Sequence, residues 1–407
     1  MQSYMLYLRR VSMLRFEDYI ALLSGNDTVL LRVYFNLPIG SDGQFILNER
    51  LYSMIPVIKK LVSTGCSLIL VSHLGRPKAG VWQERYSFSR LVPVLSALLQ
   101  KPVTFLSKWP YQKTYLAPGC IALAENTRFL RGELENDKAL VVKMLDGVNL
   151  VVMEAFACSH RAHASTLGIV EQAKRVCLGI HHLNELTSIR SFEQTKRPRV
   201  AVLGGKKLCT KLALIEHLVQ QVDCLCLGGG IANTALHRCG FNLGTSWVEY
   251  EQLEHIQAIM DLCRQRDVRF LMPVDVAVTH GKTALEFSRF VDVGDLKPHD
   301  CVVDIGPKTI ALYKSVLDEA RSVYWNGPMG QYEYTFGLLG SKSVAEKIAS
   351  LSAFTLVGGG DTIACLDRSG VGGFSHASTG GGAFLYVLVH GGTPVSKILE
   401  KAYVEAN

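Results

Sequence analysis

The feature that most constrains the fold is the alternation of short apolar runs with segments of helical periodicity. The apolar runs span residues 29–33, 67–71, 148–152, 199–203, 223–227 and 354–357. Runs this short with few polar side chains predict strands buried on both faces, which is typical of parallel sheets. Turn residues and then a helical pattern follow most of them, as in residues 51–63 and 211–219. The sequence therefore predicts an α/β fold whose parallel sheets are flanked by helices.

The length of the chain and a break near its middle predict two such lobes. A chain of 407 residues exceeds the roughly 250–300 residues at which a single hydrophobic core stops growing. A helical pattern over residues 183–194 is followed by a basic stretch, residues 196–199, in which Pro198 breaks the helix. The next apolar run opens a second α/β unit. We predict an N-terminal lobe over residues 1–185 and a C-terminal lobe over residues 186–392.

The composition argues against several classes of partner. The formal net charge is +7, but Lys and Arg form only short clusters, at residues 8–10 and 196–199, whereas nucleic-acid binding usually concentrates basic side chains in one patch. The eleven Cys include no C-x-x-C pair, which favours reduced thiols over a disulfide framework or a zinc site. No apolar run is long enough to span a bilayer. We therefore expect a cytoplasmic protein that binds neither nucleic acid nor membrane.

Basic side chains follow strand ends or open a helix in the first half of the chain. They are Arg50, His73, Arg76, Arg128 and Arg161. Because the ligand crevice of an open α/β sheet lies at the carboxyl ends of its strands, we expect these groups to converge. The planar fork of Arg binds carboxylate and phosphate through paired hydrogen bonds. The pattern predicts a site for a small anion, and the nearby His160 and His163 favour anion contacts or packing over a metal site.

Glycine turns punctuate the second half of the chain. They are Gly204-Gly205-Lys206-Lys207, Gly228-Gly229-Gly230, Gly306-Pro307-Lys308, Asn326-Gly327-Pro328-Met329-Gly330 and Gly358-Gly359-Gly360-Asp361-Thr362. A helical pattern follows the last turn, and backbone N–H groups at a helix N-terminus bind phosphate. Asp361 is well placed to hold Mg²⁺, which prefers carboxylate and phosphate oxygens. Neither a Walker A motif nor a dinucleotide G-x-G-x-x-G fingerprint is present, so the turns predict a nucleotide-phosphate site without either motif.

Taken in order, these motifs resemble those of the phosphoglycerate kinase family over residues 29–382. The blocks that carry the resemblance are Ser72-His73-Leu74-Gly75-Arg76-Pro77, Ala155-Phe156 with residues 160–166, and the segments 325–330, 358–362 and 378–382. The resemblance implies reversible phosphoryl transfer between 1,3-bisphosphoglycerate with ADP and 3-phosphoglycerate with ATP, in glycolysis and gluconeogenesis, with Mg²⁺ as cofactor. It also implies a hinge-bending monomer of two Rossmann-like lobes with an interlobe cleft, and a tail, residues 393–407, that packs on the N-terminal lobe.

The resemblance also implies roles for individual residues. Those expected to bind phosphoglycerate are Tyr34, Asn36, Arg50, His73, Arg76, Arg128 and Arg161. Those expected to bind the nucleotide are Lys211, Gly306, Asn326, Glu333, Gly359, Gly360, Asp361 and Thr362, with Asp361 also holding the metal. Arg50, Lys207 and Lys211 would be catalytic. Because the acceptor is already a carboxylate, no strong general base is needed, and catalysis would rest on positioning and positive charge.

Several residues depart from the family pattern. Tyr34 stands where most members have Asp, Glu154 stands where Asp is usual, and Lys206 adds a cation beside Lys207. Tyr34 implies either a displaced substrate or weaker binding, which leaves open a relative that acts on another small phosphorylated or carboxylated acid. Retention of Lys207 and Asp361 argues against a non-catalytic nucleotide-binding protein. The missing fingerprint argues against a nicotinamide-dependent oxidoreductase.

Overall fold

A computed structural model gives the fold and describes residues 16–112, 115–280 and 289–405. The chain divides into two compact units. The residues up to Glu185 and those from Gly392 onward form the first unit, and Leu186–Gly391 forms the second. Each unit contains a six-stranded sheet whose neighbouring strands are parallel, and helices flank both sheets. The predicted fold class, α/β with two parallel sheets, is confirmed.

Six strands form the sheet of the first unit. They are β1 Thr28–Arg32, β2 Ser67–Val71, β3 Val103–Leu106, β4 Ile121–Ala124, β5 Leu150–Met153 and β6 Val176–Leu178. The α-helices of this unit are Phe16–Ile20, Glu49–Tyr52, Met54–Val62, Val92–Leu99, Lys138–Met144, Ile169–Gln172, the first part of Ile180–Gln194, and Pro394–Glu405. The strand order is β3-β4-β2-β1-β5-β6, so the carboxyl ends of β4, β2, β1 and β5 lie side by side.

Two helices replace the single helix predicted over residues 51–63. The helix Glu49–Tyr52 begins at Asn48, whose side chain accepts a hydrogen bond from the N–H of Arg50 at 3.1 Å. The helix Met54–Val62 follows and buries one face. The residues of that face are Met54, Val57, Ile58, Leu61 and Val62. Their spacing is that of a helix packed on a sheet, and the shorter helix before it carries Arg50.

The second unit contains nine strands among its described residues. They are β7 Arg199–Leu203, β8 Cys224–Leu227, β9 Arg269–Leu271, β10 Asp275–His280, β11 Arg289–Asp292, β12 Asp300–Ile305, β13 Ser322–Asn326, β14 Phe354–Gly358 and β15 His376–Ser378. Its α-helices are the rest of Ile180–Gln194, Leu212–Val219, Gly229–Arg238, Leu253–Gln265, Pro307–Asp318, Leu339–Ala349, Gly360–Ser369 and Gly382–His390. The large sheet has the order β15-β14-β13-β7-β8-β9, which places β13 and β7 at its centre.

A small antiparallel sheet in the second unit has no counterpart in the sequence prediction. It has the strand order β11-β10-β12. The first residues of β10 and β12 are Asp275 and Asp300, both buried, and the side chains of β11 are alternately partly and fully exposed. Strands that contain charged residues or have one solvent-exposed face do not form continuous apolar runs. A search for apolar runs therefore does not find these strands.

The helix Ile180–Gln194 has 15 residues and extends from the first unit into the second. The C-terminal helix Pro394–Glu405 packs against β6 and against the helix Ile169–Gln172 of the first unit. Within the described residues, no helix combines the length and the apolar character needed to cross a membrane.

A buried carboxyl group lies at the start of the helix Ile180–Gln194. Glu154 directly follows β5 and is 1% exposed, and its Oε1 accepts a hydrogen bond from the N–H of His181 at 3.1 Å. Burial raises the pKa of this carboxyl to about 8, and the His181 N–H opposes the rise. Gly179 leaves the space that Glu154 occupies, because a Cβ atom there would lie 1.6 Å from Oε2. Most Glu154 carboxyls therefore keep their proton at neutral pH.

This buried acid predicts a pH-dependent loss of stability. The unfolded chain releases the Glu154 proton near pH 4.5 and the folded chain releases it near pH 8. Between those values the folded state holds more protons, so stability falls as pH rises, by up to about 1.4 kcal/mol per pH unit. Glu154→Gln removes this titration. We expect the free energy of unfolding of the variant to gain about 2–4 kcal/mol relative to the original chain between pH 5 and pH 8.

Urea titrations at the two pH values measure this difference. Glu216→Gln, an exposed position on the helix Leu212–Val219, is the matched control and should change stability equally at both values. A Glu154→Gln variant whose stability changes with pH as steeply as that of the original chain would contradict the assignment.

Candidate active site

The predicted anion-binding residues of the first unit meet at the carboxyl edge of its sheet. Tyr34 and Asn36 follow β1, His73 and Arg76 follow β2, and Arg161 follows β5. These five side chains line a cavity of about 130 Å³, whose other lining residues are Gly75, Ala157 and Cys158. Neighbouring parallel strands deliver them to one place, as expected for an open α/β sheet.

Arg128 lies close to the same cavity. It sits in a single turn after β4, where the Asn126 side chain accepts a hydrogen bond from its N–H at 3.1 Å. Its positive charge helps to depress the pKa of His73, which places the two groups within electrostatic reach. Arg128 is 9% exposed, and its buried Nε has no hydrogen-bond partner. A buried donor without a partner is costly, so this guanidinium is suited to an anionic ligand.

Arg32 fixes the protonation state of His73. Its Nη2 lies 2.9 Å from His73 Nδ1. Since Arg only donates hydrogen bonds, Nδ1 accepts and the proton of the ring is on Nε2. Burial and the charges of Arg32, Arg128 and Arg161 hold the pKa of His73 well below its usual range. His73 is therefore a neutral donor among the guanidinium groups of Arg32, Arg128 and Arg161, which we call the cationic cluster.

Sequence analysis did not select Arg32 as a site residue. It is the last residue of β1 and is 1% exposed, and its Nε donates to the carbonyl of Ser165 at 3.1 Å. One feature of the sequence could have indicated its role, because Arg32 is a single charged residue at the end of an otherwise apolar run. A charge in that position must have buried partners, and here they include backbone carbonyls and His73.

Arg50 reaches the cluster from the helix Glu49–Tyr52. Its Nη1 donates to the carbonyl oxygen of Asn36 at 2.8 Å, and its guanidinium carbon lies 5.3 Å from the centre of the Tyr34 ring. The side chain of Asn36 accepts a hydrogen bond from the N–H of Gly75 at 2.9 Å. The segments that follow β1 and β2 are thereby joined at the cavity. All seven residues predicted to bind phosphoglycerate thus belong to one group.

Lys211 occupies the equivalent edge of the second sheet. Its Nζ donates to the carbonyl of Gly204 at 2.7 Å and to the carbonyl of Asn326 at 3.1 Å, at the ends of β7 and β13. Withdrawal from water lowers the pKa of this amine to about 8, and the charge of Asp361 opposes the shift. Lys211 and Asp361 are therefore close enough to interact, at a junction between the two central strands and the helix Gly360–Ser369.

The turn before the helix Gly360–Ser369 is held by hydrogen bonds. The Thr362 hydroxyl accepts from the N–H of Gly327 at 2.7 Å and donates to the carbonyl of Gly358 at 2.8 Å. Asn326 Nδ2 donates to the same carbonyl at 2.7 Å. Gly359 has φ +104°, and a Cβ there would lie 2.7 Å from Asn326 Nδ2. Only glycine fits this turn. The first N–H groups of the helix that follows lack intrahelical partners, and such groups can bind an anion.

A cavity of about 670 Å³ adjoins this turn. Glu333 and Asp361 line it, together with the glycine turns that follow β7 and β8. Trp247 and Lys206 also line it, and Lys206 Nζ lies 4.4 Å from the centre of the Trp247 ring. Sequence analysis noted the extra charge of Lys206 but missed Trp247, because Trp247 lies in a loop outside every recognised motif. The cavity is large enough for part of a nucleotide.

Two predicted residues of the second unit lie in other settings. Gly306 precedes the helix Pro307–Asp318, and a Cβ there would lie 2.4 Å from the carboxylate of Asp275. It does not line the 670 Å³ cavity, and neither do Lys211, Asn326, Gly359, Gly360 and Thr362. The side chain of Asp275 fills the space beside Gly306. Lys207 is exposed in the loop after β7, four residues before Lys211, where its ammonium is accessible to a ligand.

The described residues contain no group of three or more His, Cys, Asp or Glu arranged to hold a metal ion. His160 lies within electrostatic reach of Arg161, and His163 lies within reach of Arg128 and Arg161. Burial, assisted by Arg128 and Arg161, lowers the pKa of His163 to about 4, so it is neutral there. Mg²⁺ needs only one or two protein carboxylates when phosphate oxygens and water complete its shell. The exposed carboxylate of Asp361, at the start of the helix Gly360–Ser369, fits that requirement.

Comparisons with known proteins agree with this geometry. The model of the family described as "Phosphoglycerate kinase" matches residues 22–390. A relative named phosphoglycerate kinase from Desulfovibrio desulfuricans is 38% identical over 366 residues, which cover 89% of this chain and 93% of the relative. One from Legionella pneumophila (strain Lens) is 37% identical over 388 residues, which cover 93% and 96%.

Solved structures show the same relationship. The structure of phosphoglycerate kinase from Coxiella burnetii matches with a TM-score of 0.87 and 35% identity, covering 93% of this chain and 97% of that one. The enzyme from Pyrococcus horikoshii matches with a TM-score of 0.81 and 28% identity, covering 96% and 99%. Because the family model spans most of the sequence and relatives above 30% identity span most of its length, the chain belongs to the phosphoglycerate kinase family of phosphotransferases.

Proposed function

We propose that the first unit binds 3-phosphoglycerate, that the second binds Mg²⁺ with ATP or ADP, and that the enzyme transfers a phosphoryl group between them. A carboxylate oxygen of 3-phosphoglycerate attacks the γ-phosphorus of ATP, the bond from that phosphorus to the bridging oxygen breaks, and ADP and 1,3-bisphosphoglycerate form. The reverse reaction makes ATP. The observation that carries the proposal is the convergence of Arg50, Arg76, Arg128 and Arg161 with His73 in a member of this family.

The first site is suited to an anion with both a phosphate and a carboxylate. Arg76 and Arg161 line the cavity and can donate paired hydrogen bonds to either group. Buried Arg128 offers an unpaired Nε, and His73 offers its Nε2 proton. We assign these four side chains to binding and orientation. Arg50 is the cation that would act on the phosphoryl group, since it approaches the cavity from a separate helix.

The second site would bind a nucleotide through its backbone, two carboxylates and two ammonium groups. The N–H groups that open the helix Gly360–Ser369 would bind phosphate oxygens, and Glu333 at the cavity wall would bind the ribose hydroxyls. Asp361 would hold Mg²⁺, which neutralises phosphate charge when bound. Lys207 and Lys211 would stabilise the charge that develops on the transferring group. Preorganised donors of this kind each contribute roughly 3–4 kcal/mol.

Direct transfer requires the two bound substrates to come within bonding distance and water to be excluded. We therefore include a hinge motion between the units in the proposed mechanism, as is common in enzymes that close around their substrates. We also propose that the enzyme works as a cytoplasmic monomer, without a nucleic-acid or membrane partner.

A coupled assay of the purified chain tests the function. With ATP, Mg²⁺ and 3-phosphoglycerate we expect turnover, and we expect removal of Mg²⁺ by EDTA to abolish it and added Mg²⁺ to restore it, because the metal neutralises the phosphates. A panel of other small phosphorylated or carboxylated acids is run in parallel. Turnover of one of those acids without turnover of 3-phosphoglycerate would refute the proposed substrate and support the alternative opened by Tyr34.

We expect removal of the exposed ammonium of Lys207 to lower the rate of phosphoryl transfer. We expect Lys207→Ala to lower kcat by roughly 100- to 1000-fold, the usual cost of losing one preorganised charge-stabilising donor. The melting temperature should not change, because Lys207 is exposed. Lys342→Ala, an exposed position on the helix Leu339–Ala349 of the same unit, is the control. Equal rates in the two variants would show that Lys207 does not act on the phosphoryl group.

The lowered pKa of Lys211 predicts an alkaline fall in activity. Its pKa of about 8 means that the amine loses its charge as pH rises past that value, and with it the attraction for phosphate. We expect kcat/KM for ATP, which reports the free enzyme, to fall about tenfold between pH 7 and pH 9. The fall in kcat should be smaller, because bound phosphate favours the charged amine.

The variant Lys211→Ala separates this titration from others. Its kcat/KM should be low and should show no fall centred near pH 8, because the titrating amine is gone. An unchanged alkaline limb in this variant would assign the titration to another group.

A further inference from the structure

Tyr34 lies between two of the groups that form the anion-binding cluster. Its ring centre is 5.3 Å from the guanidinium carbon of Arg50 and 5.7 Å from the centre of the His73 ring, with 57° between the two ring planes. It is partly buried and lines the 130 Å³ cavity. The ring therefore lies near both a cation and a neutral imidazole.

Arg50 is a long side chain that needs orientation. Its Nη1 is held by the carbonyl of Asn36 at 2.8 Å, and one hydrogen bond leaves rotation about that contact. The Tyr34 ring restricts the rotation, because a guanidinium over an aromatic face is attracted by the electrons of the ring. Two contacts of different kinds thus define where Arg50 points.

The ring does this without adding charge. A carboxylate at position 34, the residue type usual in the family, would place a negative charge close to Arg50 and lower the positive potential there. An aromatic ring orients the guanidinium and leaves its full charge and its remaining N–H groups for a ligand. Four guanidinium groups lie at or near the cavity, those of Arg32, Arg76, Arg128 and Arg161. The buried carboxyl of Glu133 interacts with Arg32 and Arg128, and burial raises its pKa. A neutral ring at position 34 adds no negative charge beside Arg50.

We propose that Tyr34 is a positioning residue that acts through Arg50: its ring holds the guanidinium toward the transferring phosphoryl group. This inference rests on the proposed function for the identity of that group. The contact with His73 supports the same arrangement, because His73 is held by Arg32 and gives the ring a fixed neighbour to pack against. The ring, more than the hydroxyl, carries the effect.

Three substitutions test the inference. Tyr34→Leu removes the aromatic face and keeps an apolar side chain, Tyr34→Phe keeps the face and removes the hydroxyl, and Arg50→Ala removes the partner. We expect Tyr34→Leu to lower kcat by about 3- to 20-fold, the range of cation–π contacts, with a smaller change in KM for 3-phosphoglycerate. Tyr34→Phe should recover most of that loss.

The double variant Tyr34→Leu with Arg50→Ala distinguishes an effect through Arg50 from a purely structural role of Tyr34. If the ring acts through Arg50, Tyr34→Leu should change kcat by less than about twofold once Arg50 is gone, since coupled residues are not additive. A structural role alone would give the same fold-loss in both backgrounds. Equal losses in the two backgrounds, or a Tyr34→Phe variant as slow as Tyr34→Leu, would overturn the inference.

Binding of pyrophosphate by the original chain, Tyr34→Leu, Arg50→Ala and the double variant, measured by calorimetry, separates the inference from the proposed function. It needs no phosphoryl transfer. If pyrophosphate binding shows coupling between positions 34 and 50 but the protein does not turn over 3-phosphoglycerate, the proposed role of Tyr34 stands and the proposed substrate is refuted. Turnover without coupling in either measurement would retain the substrate and refute the role of Tyr34.

Discussion

The concentration of like charge at the carboxyl edge of the first sheet is the constraint on which the anion site depends. Arg32, Arg128 and Arg161 all depress the pKa of His73, which shows how closely the cations are packed. Such a cluster persists only where other groups offset the repulsion. Backbone carbonyls do so at Arg32 and Arg50. The imidazoles respond by losing their protons, so the cluster keeps fixed guanidinium charge and neutral donors, a combination that a dianionic ligand would stabilise.

In the proposed mechanism the two units bind anions by different means. The first would use side chains, because guanidinium groups can surround a compact ligand from several strand ends at once. The second relies on its backbone, since glycine at Gly359 allows the turn that presents helix N–H groups, and it adds Lys211 and Asp361. A triphosphate carries oxygens along its length, and a row of N–H groups matches that shape better than a cluster of long side chains. In each unit the proposed site lies at the carboxyl edge of the parallel sheet. The loops that follow the strands determine which groups are available to bind the ligand.

The sequence alone was sufficient to predict the features that depend on local residue patterns. Apolar runs located six of the parallel strands, and the rule that such strands end at one edge predicted the meeting of His73, Arg128 and Arg161. It was insufficient where a residue's partner is distant in the chain. Arg32 was missed because its partners, Ser165 and His73, are set by strand order. Gly306 was chosen as a turn glycine, and its surroundings at Asp275 depend on the small sheet, whose strands lack apolar runs.

The departures from the family pattern each have a local partner. The longer acid at Glu154 occupies space that Gly179 leaves free, since any side chain there would collide with Oε2. The added cation Lys206 lies over the Trp247 ring. Tyr34, in the place of an acid, contacts Arg50. A neutral ring in the place of an acid leaves the charge of Arg50 uncancelled at this position. The guanidinium keeps its hydrogen bond to the carbonyl of Asn36, and the face of the ring attracts it without neutralising it.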